Sequence, residues 1–399
     1  MTAAAYICHS CQQTAVRDIL DCGPQPISNR FLFTANAPEV TFPLILGQCV
    51  DCGLVQISHP VPAAELRARF DWISYTEPEG HLAALVSELA ALPGITSASR
   101  VGAVVFGGDT TNIRFKERGF ENNWRVDLHH DLGDKEPCSG TETIQERLTP
   151  AVAQKIVNRH GLFDLLVVRH MVEHAQDVKC FLAAIQTMLH PGGYAVFEVP
   201  DCERPFDELE YSILWEEHVF YFMPATFRHC LTSAGFEVLD LQRPRYSLVA
   251  ITRKTDLVTV AVPLPAEVLA VECSRARKFA RELPFRRASV VKMLQACGKV
   301  AFFGAGHQGC MYINLLGLKS ELAFVLDDHP KKQKLFMPGS HLPILSSSTL
   351  ADASAQMCLS SLGVDTDRKV AAKNPAFLAH GGKFVSIFAR EFSPNFQKP

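Results

Sequence analysis

Three continuous apolar runs mark the middle of the chain: Val101-Gly102-Ala103-Val104-Val105-Phe106, Phe163-Asp164-Leu165-Leu166-Val167-Val168 and Tyr194-Ala195-Val196-Phe197-Glu198-Val199. Runs of this length with little alternation predict parallel strands buried on both faces. Between the second and third, Val178, Phe181, Leu182, Ile185 and Leu189 recur at helical spacing, and His190-Pro191-Gly192-Gly193 then supplies a stop and a tight turn. Strand, helix, turn, strand is the order of a doubly wound α/β sheet. The pattern returns in the last third, where Lys299-Val300-Ala301-Phe302-Phe303 and Ala323-Phe324-Val325-Leu326-Asp327 read as strands and Met311 to Leu318 as the apolar segment behind the first. Residues 1 to about 60 lack it. Turn formers (Cys22-Gly23-Pro24, Pro26, Pro38, Pro43) dominate there, so that segment needs a staple to hold a fold.

Length and charge narrow the classes. A chain of 399 residues predicts two or three domains at roughly 100–200 residues each. With 47% hydrophobic and 20% charged residues it is not a disordered chain. A net charge of −3, from 39 basic and 42 acidic residues, leaves no basic excess for a phosphate backbone, so nucleic acid is not an expected partner. The most apolar later stretch, Val258 to Val271, is broken by Pro263, Pro265 and Glu267, so no membrane span is expected. The first residues have neither a charged n-region nor a long apolar core, and thirteen cysteines is an odd number; both point to a reducing cytoplasm.

Four of those cysteines have a spacing with chemical meaning. Cys8-His-Ser-Cys11 and Cys49-Val-Asp-Cys52 are two C-x-x-C knuckles, and two such knuckles complete a closed four-sulfur site. We read Cys8, Cys11, Cys49 and Cys52 as ligands of a structural zinc ion; iron is the other metal that four thiolates accept. Cys22, His9 and His59 are read as bystanders.

Two glycine-rich strand ends suggest nucleotide chemistry. Phe106-Gly107-Gly108-Asp109 follows the first middle strand, and about twenty residues later Trp124-Arg125-Val126-Asp127 offers an acid for ribose hydroxyls. Gly304-Ala305-Gly306-His307-Gln308-Gly309 is a complete G-x-G-x-x-G after a strand, with Asp327 about twenty residues on. Read alone, the second loop suggests an NAD-dependent oxidoreductase. His307 reads equally as a cap of the following helix, and Lys331-Lys332-Gln333-Lys334 as a solvated face.

Phe163 to His174 followed by Leu189 to Asp201 looks like the later half of a class I S-adenosylmethionine-dependent methyltransferase, an α/β Rossmann-like fold. The front knuckles, Glu217-His218-Val219-Phe220-Tyr221-Phe222 and the segment His329 to Ile344 together resemble the nucleotide-sugar C-methyltransferases of deoxysugar biosynthesis. The resemblance implies a zinc module at 1–70, a methyltransferase domain at 71–255 and a second Rossmann-like domain at 256–399 that helps hold a nucleoside-diphosphate sugar. It implies S-adenosylmethionine as cofactor, at Gly107, Gly108, Asp109, Asp127, Arg169 and His170. It implies substrate contacts from Gly304, Gly306, His307, Gly309, Asn314 and Asp327. Catalysis falls to His218 as base with Glu217, Tyr75 and Tyr221, while His174 is read as a structural cap. Three departures stand out: Trp215 replaces a family tyrosine, Gln308 a lysine, and Thr111 the last glycine of the cofactor loop, where a β-branched residue resists a positive φ. A nucleotide-sugar-binding relative without methyl transfer is the alternative from another class.

Overall fold

In the computed structural model, which describes residues 6–73, 77–255, 263–352 and 355–388, the three apolar runs lie side by side as strands Val101–Val104, Phe163–Arg169 and Leu189–Pro200. They pair in parallel, and Asn123–Arg125 adds a fourth parallel strand beyond the first. Ser247–Lys254 pairs antiparallel with Leu189–Pro200, and Phe236–Gln242 antiparallel with it, to complete a six-stranded sheet. The absence of alternation in the sequence has a simple cause. Leu166, Val168 and Phe197 pack on one face with Phe181, Leu182 and Ile185 of helix Val178–Met188, while Leu165, Val167 and Val196 pack on the other with Leu82, Leu85 and Leu89 of helix Leu82–Ala90. Both faces are therefore apolar.

Asp177 caps the first of these helices, accepting from the Cys180 N–H at 3.0 Å. The Pro-Gly-Gly turn expected after it is absorbed into the irregular start of strand Leu189–Pro200, where Gly192 has φ +73°. A Cβ on Gly193 would come within 3.0 to 3.3 Å of three carbonyl oxygens, so any side chain there would require the neighbouring backbone to give way by a few tenths of an ångström.

The cysteine knuckles belong to a five-stranded sheet in the order Tyr6–Ile7, Thr14–Pro26, Thr41–Cys49, Val55–Ile57, Phe220–Tyr221. The last third forms an all-parallel sheet in the order Ile344–Leu345, Leu322–Leu326, Val300–Phe303, Met357–Ser360, Lys383–Ser386. Its first helix, His307–Leu315, starts directly after Gly306.

The chain divides into two compact units, each assembled from separate segments. Met1–Asp18, Leu46–Glu203 and Glu217–Ser274 form the first, which holds the six-stranded sheet and the four knuckle cysteines. Ile19–Ile45, Arg204–Glu216 and Arg275–Pro399 form the second, which holds the all-parallel sheet. All thirteen cysteines are free. Among the described residues, no helix is long and apolar enough to cross a membrane.

Candidate active site and metal centre

The two knuckles meet. Sγ of Cys8 lies 3.7 Å from that of Cys52, and Sγ of Cys11 lies 3.6 Å from that of Cys49. Sulfurs bound to one tetrahedral zinc ion at about 2.3 Å stand about 3.8 Å apart, the spacing of these two pairs, and all four sulfurs lie within 4.8 Å of one another. Hydrogen bonds to Cys11, together with burial, hold the thiols of Cys8 and Cys52 far above the usual range, while hydrogen bonds to Cys49 and Cys52 hold Cys11 below it. Four sulfurs this close repel one another as thiolates, and a divalent ion removes that conflict. Among the described residues no fifth side chain joins the set, which leaves His9, His59 and Cys22 outside it.

The zinc fold reaches the candidate base through the backbone. The turn after Cys49, closed by the Gly53 N–H on the Cys49 carbonyl at 2.9 Å, opens strand Val55–Ile57. That strand pairs with Phe220 and Tyr221, and the Ile57 N–H donates to the Val219 carbonyl at 2.8 Å. His218, which immediately precedes this paired segment, is buried. Its ring stands edge-on to that of His174, with centroids 4.7 Å apart and planes at 81°, while the Tyr221 ring is 6.5 Å away.

His174 closes the single turn Val172–His174 that follows strand Phe163–Arg169. Burial pushes its pKa down, against the Glu217 backbone carbonyl, which accepts from the ring and favours the charged form. Far from being only a cap, His174 is the immediate neighbour of the candidate base. Glu173 completes the group: one carboxylate oxygen and one nitrogen from each of His174 and His218 lie within 4.8 Å of one another. Tyr75 lies outside the described residues.

At the carboxyl ends of the parallel strands, the residues expected to bind the cofactor divide into two kinds. Gly107, Gly108 and Asp127 are exposed, and a Cβ on Gly107 would meet nothing within 4 Å. Asp127 accepts from the N–H groups of His129 and His130 through Oδ1, at 2.9 and 2.6 Å, which lowers its pKa. Asp109 and Arg169, in contrast, are sealed inside and bonded to each other. Arg169 also donates to Glu198 at 2.5 Å and to the Pro78 carbonyl at 3.2 Å. His170 has φ +52° and faces Glu173 at 3.2 Å, Glu198 at 3.5 Å and Glu77 at 3.8 Å. Burial opposes its charge, yet these carboxylates outweigh burial and raise its pKa to about 10.

This ion network braces the glycine loop from beneath. Arg125 reaches the carbonyls of Phe106 and Asp109, and Glu79 accepts from the Thr110 N–H at 2.9 Å. Thr111 is not in a turn: it is the first residue of helix Thr111–Lys116, with its N–H on Asp109 Oδ1 at 2.8 Å. A helical residue needs no positive φ, so the missing family glycine causes no strain here. The exposed loop and the Asp127 carboxylate fit an adenosyl cofactor; Asp109, Arg169 and His170 shape its support.

In the second unit the Gly304 loop is built in the same spirit. Gly304 has φ +113°, and a Cβ on Gly309 would sit 2.2 Å from the Gly304 carbonyl oxygen, so that glycine lets the helix approach the strand. At Gly306 a Cβ would meet nothing within 4 Å. Asp327 accepts from the Ala305 N–H at 3.1 Å, from Lys332 Nζ at 2.9 Å and from the His329 N–H at 2.9 Å. Lys332 is thus folded onto the loop, donating also to the Ala305 carbonyl at 2.8 Å. Asn314 holds the Pro338 carbonyl at 3.1 Å. His307 stacks on Trp215 at 4.1 Å and 17°.

Family models match the chain in three places. Residues 8–66 match one described as "Putative zinc binding domain", residues 106–241 "Methyltransferase domain" and residues 269–388 "C-methyltransferase C-terminal domain". Over 398 residues the chain is 25% identical to C-methyltransferase NovU of Streptomyces niveus, spanning 95% of this chain and 94% of that protein. The chain is an S-adenosylmethionine-dependent methyltransferase. The methyltransferase is also 26% identical over 165 residues to the ubiquinone biosynthesis O-methyltransferase of Aromatoleum aromaticum, across 39% of this chain and 59% of that one. Among solved structures it is similar to the 1,6-didemethyltoxoflavin-N1-methyltransferase of Burkholderia thailandensis, at 20% identity and a TM-score of 0.31, covering 45% of this chain and 80% of that one.

The matches to methyltransferase models displace the oxidoreductase reading of the Gly304 loop, where both oxygens of Asp327 are engaged by Lys332 and by backbone N–H groups. Sequence reasoning missed Glu216. It is buried, accepts from the Ser28 N–H at 2.6 Å, and burial raises its pKa to about 7. The departure at Trp215 has a structural sense: its Nε1 donates to Ser28 Oγ at 3.0 Å while its ring carries His307. Both lie in the run Trp215-Glu216-Glu217-His218, whose two adjacent acids belong to different units.

Proposed function

We propose that the methyltransferase adds a methyl group to a carbon next to a ketone in a nucleoside-diphosphate-linked keto-deoxysugar. The observation that carries this reading is the likeness to a protein named as a C-methyltransferase along 95% of the chain. A carbon acceptor needs its α proton removed and the resulting enolate held while it attacks, so the site must contain a base effective near neutral pH. His218 takes that proton, a role for which an imidazole is the side chain of choice near neutral pH. Its neighbour His174, anchored on the Glu217 carbonyl, keeps the ring in place. Glu217, Tyr221 and Tyr75 orient the sugar ketone.

Bound S-adenosylmethionine supplies an electrophilic methyl group on a sulfonium. Gly107, Gly108 and Asp127 hold it, and Asp109, Arg169 and His170 fix the loop that does so. Gly304, Gly306, His307, Gly309 and Asn314 hold the nucleotide sugar, with Asp327 acting through Lys332. Cys8, Cys11, Cys49 and Cys52 hold zinc, which organises the fold. The division of labour follows residues 1–70, 71–255 and 256–399, and the setting is the cytoplasm. The test is a panel of keto sugar nucleotides offered with methyl-labelled S-adenosylmethionine: the label appears on a ring carbon. Label on oxygen or nitrogen removes the enolate reading.

A further inference from the structure

The group formed by Glu173, His174 and His218 shares no residue with the four-cysteine set, and all three members are buried. Glu173 Oε2 is buried with no hydrogen-bond partner. An isolated carboxylate oxygen is costly in such a place, and a cation is what most directly satisfies it. Two imidazoles and one carboxylate are a donor set that zinc-class ions take, with a further position left open.

The residues behind the three donors have the form that supports a metal. His174 gives one ring N–H to the Glu217 carbonyl, which leaves the lone pair on its other nitrogen. Glu173 is held by His170 Nδ1 at 3.2 Å. A ligating histidine almost always gives its second N–H to a carbonyl or carboxylate, and ligating carboxylates are themselves hydrogen-bonded. The donor atoms, now within 4.8 Å of one another, close to about 3.4 Å around a tetrahedral ion with bonds of about 2.1 Å. Side-chain rotation covers that difference.

We propose that Glu173, His174 and His218 form a second site for a divalent zinc-class ion, and that its occupancy stops methyl transfer by taking the lone pair on His218. The site itself stands on the geometry; the inhibition rests on His218 being the base. An ion on its lone pair leaves His218 unable to accept a proton until it is chelated away.

The test uses the full chain with its four-cysteine site already filled with zinc, titrated with Co²⁺. The proposal expects one further ion per chain, with visible d–d bands and no near-ultraviolet thiolate charge transfer. In Glu173→Gln that ion binds about tenfold more weakly or worse. Added Zn²⁺ inhibits turnover of the unaltered enzyme, and a chelator too weak to strip the four-cysteine site restores it. Uptake confined to the cysteine site in the unaltered chain overturns the proposal, whether or not the variant folds. Equal Co²⁺ affinity in Glu173→Gln overturns the choice of ligands. Binding of the second ion with undiminished turnover upholds the site and removes His218 from the role of base.

Discussion

Ile57 donates its backbone N–H to the carbonyl of Val219 at 2.8 Å, so the strand opened by the second cysteine knuckle holds the residue that follows His218. With His218 in its proposed role as base, zinc supports catalysis through backbone pairing. Cys49→Ser, or chelation of the ion, lowers the melting temperature by about 4 °C or more, at about 2–4 °C per kcal/mol for a domain of this size, and lowers turnover as well. Thermal unfolding followed with and without chelator checks it; an active enzyme after complete zinc removal contradicts the coupling.

His218→Asn removes the base and leaves the cofactor loop intact. Turnover falls by about 10²–10⁴-fold, while calorimetric affinity for S-adenosylmethionine stays within a factor of about two. A parallel loss of both points to a structural role.

The buried network sets a pH profile for stability. The folded pKa of His170 is raised from 6.5 to about 10. Its contribution is present in full below about 6.5 and is lost as pH rises through about 10. Glu198 is pulled far down; burial opposes this, but His170, His81 and Arg169 outweigh it, so its contribution is lost only in strong acid. Urea midpoints therefore fall between neutral pH and pH about 10. In His170→Gln the alkaline slope flattens.

Two glycines of one loop separate packing from binding. Gly309→Ala forces a Cβ to 2.2 Å from the Gly304 oxygen and costs about 1–3 kcal/mol, seen in urea unfolding. Gly306→Ala meets open space, leaves stability within about 0.5 kcal/mol, and weakens binding of a nucleoside-diphosphate sugar. Unaltered affinity in Gly306→Ala removes the loop from substrate binding.

The buried strands were readable because both of their faces pack, which leaves unbroken apolar runs such as Leu165 to Val168. The cysteine site was readable because the ligand spacing alone sets its geometry. Glu198 was the one visible trace of the ion network: a carboxylate inside an apolar run needs a cation, yet nothing in the sequence designates Arg169 as that cation. The neighbours His174 and His218 come from distant segments, and only the folded chain places their rings together. Thr111 was misread because its conformation was inferred from a family glycine, whereas here it is already the first residue of a helix.

The most direct test of the central claim follows the acceptor carbon by NMR in D₂O. The account predicts that the enzyme exchanges the proton α to the ketone of its sugar nucleotide, that S-adenosylmethionine then places a methyl on that same carbon, and that His218→Asn does neither. Methyl transfer without any exchangeable α proton, or onto a heteroatom, contradicts it.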